Sequence, residues 1–376
     1  MDFDFTEDQQ MFRQTIRKFA REVILPRRKE WDREKKYPRP IGRLVAELGL
    51  TAPFVSYVHN GIIVEEVSYV DFNCAYAVLP TGESYAMYGL PGVPDEVAEP
   101  IREALRKHET NLSLCFTEPE AGSDYANIST TAIRAENEWI INGCKNSVSF
   151  LGESDNLLVW AKTKNEKSVW ATTAFLVPAN TPGVSRPVLH DDMGTLGTPR
   201  GVVYFDNVHI PKNYMVGEEG RGFELAADLY DTNRAMIGLM CIGPAQASID
   251  ETVEYAKKRV VFGNPISKYQ AVSFALAEAH TLLEAARLLC YKTLWLADHK
   301  RRRSMEGAMV KWWVPQVCFD IVHKCMQFHG HYGYTRDLPF EQRLRDIVGW
   351  QTGDGTIEVC KLIIARKLFG GKEYTG

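Results

Sequence analysis

Apolar positions along the chain change their period twice. Phe12, Ile16, Phe19 and Val23 recur at three- and four-residue spacing, which predicts one buried stripe on an N-terminal helix. Thr6-Glu7-Asp8-Gln9 stands just ahead, a hydroxyl able to accept from an orphan backbone N–H with Gln three residues later, and Pro26 limits the helix. Further helical stretches are predicted over 41–48, 62–70 and 100–107. From about Leu112 the pattern becomes short runs rich in β-branched or aromatic residues, over 130–135, 138–141, 157–162, 173–177 and 201–205. Turn formers such as Asn142-Gly143 and Asn180-Thr181-Pro182-Gly183 separate them. After Gly220-Arg221-Gly222 the helical period returns over 223–258, 271–299, 305–329 and 356–368, lengths that suit an antiparallel bundle. The expected fold class is α+β. An N-terminal all-α domain spans 1–113, a small β-barrel or sandwich 114–222, and a C-terminal four-helix bundle 223–376.

Composition narrows the classes of function. A chain of 376 residues exceeds one hydrophobic core, which agrees with several packed domains. With 45% hydrophobic and 24% charged residues it has enough apolar surface to fold. A formal net charge of −4 gives no electrostatic reason to expect nucleic acid or an anionic membrane as partner. No run approaches the ~20 apolar residues of a membrane span. Met-Asp-Phe-Asp-Phe-Thr-Glu-Asp is acidic where a secretory signal is basic, so a cytoplasmic location is expected. Eight cysteines without a Cys-x-x-Cys pair read as reduced thiols. The sequence lacks a dinucleotide-binding glycine fingerprint and a phosphate-binding loop, and Gly330-His331-Tyr332-Gly333 is too loose to count as one. His323, His329 and His331 crowd together without carboxylates at ligand spacing, so no metal is expected.

Four punctuating motifs carry the chemistry. Cys115-Phe116-Thr117-Glu118-Pro119-Glu120-Ala121-Gly122-Ser123-Asp124 resembles the TEPxAGSD signature of the acyl-CoA dehydrogenase family. Arg259-Val260-Val261-Phe262-Gly263 with Ile266 and Gln270, then Gln327-Phe328-His329-Gly330-His331-Tyr332-Gly333-Tyr334, resemble two further segments of that family. Asp354-Gly355-Thr356 with Ile363-Ile364-Ala365-Arg366 resembles its C-terminal EGTxxIxxxxIAR. The likeness keeps the family's order and spacing over nearly the whole chain. It implies FAD as cofactor, an acyl-CoA thioester as substrate, an electron-transfer flavoprotein as partner and a homotetramer.

In such chemistry a carboxylate takes the Cα proton while fixed donors hold the thioester oxygen and the flavin accepts a hydride. The resemblance puts Asp354 at the position of the base, its backbone N–H beside the thioester oxygen, although Gly353-Asp354-Gly355 is equally good turn chemistry. It implies that Phe116 and Thr117 meet the flavin ring, that Ser149 approaches N5, and that Ser147 replaces a tryptophan wall. Ser123 falls near the flavin phosphate and the CoA arm. Arg259 and Phe262 fall toward the FAD of a neighbouring subunit, where Arg259 pairs with pyrophosphate. Gln270, Gln327, Thr356 and Glu358 complete the cofactor shell, and Asp231, Arg234 and Gly355 contact substrate.

Three departures matter. Asp354 is one methylene shorter than the family's Glu, which sets the carboxylate back by more than ~1 Å. The alternative position before Arg234 holds Asn233, which cannot act as a base, whereas Glu83 is a second candidate acid. Family members that act on alicyclic thioesters use an acid from the Glu83 region, so cyclohexane- or cyclohexene-carboxyl-CoA is an expected substrate class. Second, Thr51–Asn60 is a loop shorter than the family's, flanking the acyl pocket. Third, loss of the tryptophan at Ser147 opens the flavin on one side. Lys300-Arg301-Arg302-Arg303 reads as a solvated interhelix loop. Enoyl-CoA reduction, an oxygen-reacting flavoprotein and a non-catalytic homologue stay open as other readings.

Overall fold

The computed structural model describes residues 4–50, 56–78, 90–164 and 170–371, and the element order is helices, sheet, helices. The capping box forms as its residues dictate: Gln9 N donates to Thr6 Oγ1 at 3.3 Å and Thr6 N to Gln9 Oε1 at 3.1 Å. Helix α1 (Glu7–Phe19) then buries Ile16 and Phe19. It is followed by α2 (Arg28–Glu34), α3 (Arg39–Glu47), α4 (Tyr57–Val70), α5 (Phe72–Val78) and α6 (Asp95–Arg106). Ser56 caps α4 by accepting from His59 N at 3.3 Å, so Tyr57–Asn60 is the first turn of a helix and not a loop. Residues 51–55 lie outside the described residues.

Helix α4 is apolar around most of its circumference, and it is accordingly buried among other helices. Its two consecutive acids are buried but paired. Glu66 accepts from Arg13 Nε at 2.5 Å and Arg17 Nε at 2.8 Å, and Glu65 from Arg287 Nε at 2.8 Å and Tyr291 Oη at 2.7 Å. These bonds tie α1 and α4 to the C-terminal helices.

The middle segment is one eight-stranded sheet in the order β6-β7-β3-β2-β4-β5-β8, with β1 beside β4. The strands are β1 (Asn111–Cys115), β2 (Thr131–Arg134), β3 (Glu138–Ser149), β4 (Ser154–Lys164), β5 (Trp170–Pro178), β6 (Val184–Leu189), β7 (Arg200–Pro211) and β8 (Met215–Val216). Trp139, Trp160 and Phe175 are fully enclosed in it. Asn142-Gly143 is not a turn. The register of β3 against β7 shifts between Ile141 and Gly143, and a Cβ at Gly143 would overlap Thr130, so a bulge carries β3 onward to Ser149.

The bundle consists of α7 (Gly222–Lys258), α8 (Gln270–Asp298), α9 (Ser304–Phe328), α10 (Phe340–Val348) and α11 (Ile357–Phe369). Glycines set its closest approaches: a Cβ at Gly243 would meet Tyr69 N at 2.5 Å, and one at Gly307 would meet Asp231 O at 2.6 Å. Arg303 departs from the solvated reading of 300–303. It is buried and donates from Nε to Thr232 Oγ1 at 2.6 Å. Among the described residues no helix is long and apolar enough to cross a membrane, and no group of three metal-ligating side chains converges. All eight cysteines are free.

Candidate active site

A cleft of about 330 Å³ separates the sheet from the segment between α10 and α11. Thr117, Ser147, Ser149 and Arg200 line it from the sheet, Tyr76 from α5, and Trp350, Gly353 and Asp354 from the opposite side.

The Gly353-Asp354-Gly355 turn is fixed from beneath. Asp354 has φ 53° and Gly355 φ 104°. Aspartate tolerates the left-handed region better than most side chains, whereas the second value suits glycine alone. Lys311, fully buried on α9, donates to Trp350 O at 2.5 Å and Gly355 O at 3.0 Å. Thr356 accepts from Val359 N at 3.3 Å and so starts α11 directly after the turn. The Asp354 carboxylate accepts from Asn233 Nδ2 at 2.8 Å, and Arg234 Nε reaches the Asp354 carbonyl at 3.4 Å. Burial raises the Asp354 pKa, opposed by the positive charges of Lys311 and Arg234, by the Asn233 hydrogen bond and by Arg200. A carboxylate therefore faces the cleft in a setting that favours holding a proton more than water does.

The sheet wall is organised by a buried ion pair. Lys145 Nζ donates to Glu118 Oε1 at 2.8 Å and to Phe116 O at 3.0 Å. Glu118 also accepts from Ser129 N at 2.5 Å, Ser129 Oγ at 2.6 Å and Thr130 N at 3.0 Å. Desolvation works to raise the Glu118 pKa, but Lys145 and the Ser129 and Thr130 donors outweigh it and hold the value at about 2. The same burial pushes the Lys145 pKa down despite its partner. The asymmetry follows from the partner count: the carboxylate takes four donors, the ammonium two acceptors. Asn146 N donates to Thr117 O at 2.8 Å, so both carbonyls of Phe116-Thr117 are held and the Thr117 side chain turns to the cleft. Ser147 is exposed at φ 55°, its N–H bonded to Asn146 Oδ1 at 2.8 Å. Ser149 Oγ lies 3.2 Å from Arg200 Nε and 3.4 Å from Tyr76 Oη.

Of the residues expected from the motifs, Thr117, Ser147, Ser149 and Asp354 line one cleft. Asp231 and Arg234 are buried behind Asp354, 3.4 Å apart, not an exposed surface pair. Gly355 and Thr356 continue the Asp354 turn. The Phe116 ring packs in the core against Trp160, centroids 4.9 Å apart, and its carbonyl accepts from buried Lys145. Ser123, Arg259, Phe262, Gln270, Gln327 and Glu358 are exposed and outside the cleft lining, Phe262 to the extent of 92%. Glu83 lies outside the described residues. Sequence reasoning misses Arg200, Tyr76 and Lys311, and it dismisses Asn233 although that amide holds the candidate base. An asparagine directly ahead of Arg234 on a predicted helix is the available signal. Nothing local marks Arg200.

Comparison with known proteins identifies the family and the fold. The acyl-CoA dehydrogenase N-terminal domain model matches residues 6–90, the middle domain model 113–208 and the C-terminal domain model 220–369. The 3-(aryl)acrylate reductase of Clostridium sporogenes is 32% identical, covering 97% of this chain and 99% of its own. The caffeyl-CoA reductase-Etf complex subunit CarC of Acetobacterium woodii is 29% identical over 97% of this chain and 99% of its own. The solved butyryl-CoA dehydrogenase of Megasphaera elsdenii superposes with a TM-score of 0.90 at 27% identity, covering 98% of this chain and 100% of that one. The chain belongs to the acyl-CoA dehydrogenase family of FAD-dependent oxidoreductases.

Proposed function

We propose that this protein desaturates an acyl-CoA thioester, with Asp354 as the base that takes the Cα proton. The observation that carries this reading is the Asp354 carboxylate, turned into the cleft at 2.8 Å from Asn233 Nδ2 and facing the Ser149 wall. The residues present fit a flavin. The cleft is walled by short hydroxyl side chains, Thr117, Ser147 and Ser149, which leave room for a flat ring and offer hydrogen bonds at its edge. Bound there, FAD supplies the hydride acceptor. Asp354 receives the proton, Asn233 keeps the carboxylate oriented, and the Asp354 backbone N–H is the donor for the thioester oxygen. Asp231, Arg234, Ser123 and Gly355 serve the CoA side. Glu83 is the second candidate acid.

A ring-bearing acyl group, such as cyclohexane- or cyclohexene-carboxyl, suits the aromatic lining. Tyr76 and Trp350 both line the cleft with ring centroids 5.5 Å apart, and flat rings pack on such faces. The relatives named for aryl and caffeyl substrates support the same class. The CarC relative, named for an Etf complex, supports an electron-transfer flavoprotein as electron acceptor. Arg259 and Phe262, both exposed, are assigned to the FAD of a neighbouring subunit in a homotetramer, and Gln270, Gln327, Thr356 and Glu358 to the cofactor shell. The free cysteines suit the cytoplasm.

One observation favours the reverse direction as a second reading: the raised Asp354 pKa suits a proton donor, and a relative reported above is named a reductase. Anaerobic addition of acyl-CoA candidates to the purified holoprotein separates the two. Bleaching of the flavin by a saturated thioester supports dehydrogenation. Reoxidation of chemically reduced protein by an enoyl-CoA alone, with no bleaching by its saturated partner, supports reduction. Fast peroxide formation in air would instead favour an oxygen-reacting flavoprotein.

A further inference from the structure

Arg200 is a cleft residue that neither the motifs nor the proposed proton transfer uses. It opens β7 and is held from three directions. Nη1 donates to Asp192 Oδ2 at 2.8 Å and Thr195 Oγ1 at 2.7 Å, Nε lies 3.2 Å from Ser149 Oγ, and the guanidinium sits 5.6 Å from the Tyr76 ring centroid. Tyr76 Oη lies 3.4 Å from the same Ser149 oxygen. A hydroxyl has one proton and two lone pairs. Arg200 can only donate, and with the Tyr76 hydroxyl it fills both lone pairs of Ser149, so the Ser149 proton points elsewhere.

We propose that Arg200 is a positioning residue for the cofactor: it turns Ser149 into a dedicated hydrogen-bond donor toward the flavin and places a fixed positive charge behind it. This rests on the reading above in which Ser149 meets FAD. The physical effect has a definite sign. A fixed cation favours the electron-rich reduced flavin over the oxidised one, and its full charge outweighs the Ser149 donor, which favours the oxidised ring because N5 carries hydrogen after reduction. The neighbouring Asp192 sharpens the dependence, since removing Arg200 alone leaves that carboxylate unpaired beside the cleft. Tyr76 adds a second role. It lines the cleft as well as touching Ser149, so a substrate packed on its ring bears on the same hydroxyl.

The test is the two-electron midpoint potential of the bound flavin, measured on holoprotein by dye equilibration. Arg200→Gln, with FAD retained, is expected to shift the oxidised–reduced equilibrium at least tenfold toward the oxidised form, which is about 30 mV lower for a two-electron couple. Arg200→Lys keeps the charge and recovers part of the shift. Ser149→Ala alone raises the potential, and Arg200→Gln in the Ser149→Ala background lowers it further than Arg200→Gln does alone, because no lost donor then offsets the lost charge. An Arg200→Gln holoprotein with the potential of the parent overturns the proposal. If the Gln variant loses FAD, the Ser149→Ala protein decides: an unchanged potential there also overturns it. A parent protein that holds no FAD refutes the functional reading itself, an outcome distinct from either of these.

Discussion

Replacing Glu118 by Gln tests the architecture of the sheet wall. Lys145 is fully buried with two acceptors, Glu118 at 2.8 Å and the Phe116 carbonyl at 3.0 Å, so the substitution leaves a buried ammonium facing one neutral carbonyl and an amide. Breaking one side of a buried pair costs about 3–5 kcal/mol, a large share of the ~5–15 kcal/mol that stabilises most folded domains. Two effects set where in that range the loss falls. Ser129 and Thr130 lose a charged acceptor and then face an amide that is half donor, which pushes the loss up. Burial already depresses the Lys145 pKa, so the variant can shed the proton, which holds the loss near ~3 kcal/mol. Urea unfolding at fixed FAD concentration measures it as a shift in midpoint at unchanged slope. The double variant Glu118→Leu with Lys145→Met removes both charges and recovers much of the loss. The sign with pH is also fixed. Glu118 has a folded value of about 2 against an ordinary 4.5, so its stabilisation is complete above the ordinary value and disappears as pH falls through about 2. The gap between parent and Glu118→Gln therefore narrows on acidification. A change under about 0.5 kcal/mol at neutral pH, the scale of an ordinary surface substitution, refutes the reasoning.

Three further outcomes follow from the same geometry. Asn233→Ala removes a donor that favours the ionised Asp354, so the acid limb of the kcat/KM profile moves to higher pH; an unmoved limb contradicts the role of the amide. Asp346 is buried, with a pKa pushed up to about 8 by desolvation and by the charges of Asp71 and Asp32, against the Thr195 N–H and Arg345. Its raised folded value means the unfolded chain ionises first. Stability is full below about 4 and declines as pH rises toward about 8, and Asp346→Asn flattens that decline in a pH series of thermal melts. Gly355→Ala places a Cβ at φ 104° and 3.2 Å from Arg234 Nη2, costing about 1–3 kcal/mol and displacing the Asp354 turn, read as a lowered Tm together with lost activity.

The long helices of the bundle were legible because a 3.6-residue apolar period and flanking glycines survive in sequence. Expected 223–258 and 271–299 stand beside observed Gly222–Lys258 and Gln270–Asp298. The sheet was harder. β1 runs parallel to β4 with mostly buried side chains, and β8 is two residues long, so neither shows an alternating pattern. Asn142-Gly143 carries turn residues, but the conformation it supplies is a bulge in a continuing strand. Arg303 belongs to a basic run that composition reads as solvated, yet Thr232 on α7 gives it a buried partner. In the cleft, Thr117, Ser149 and Asp354 sit in local motifs. Tyr76, Arg200 and Asn233 reach it from α5, β7 and α7, and their contacts exist only once the chain has folded.

In the proposed reaction the Asp354 carboxylate moves the proton. Anaerobic stopped-flow reduction of the holoprotein by its preferred acyl-CoA, parent against Asp354→Asn, tests it most directly. The Asn variant is expected to keep FAD and bind the thioester while flavin reduction slows by about 10²–10⁴-fold, the contribution of a positioned base. Reduction at the parental rate in Asp354→Asn, with loss of rate in Glu83→Gln, would contradict it.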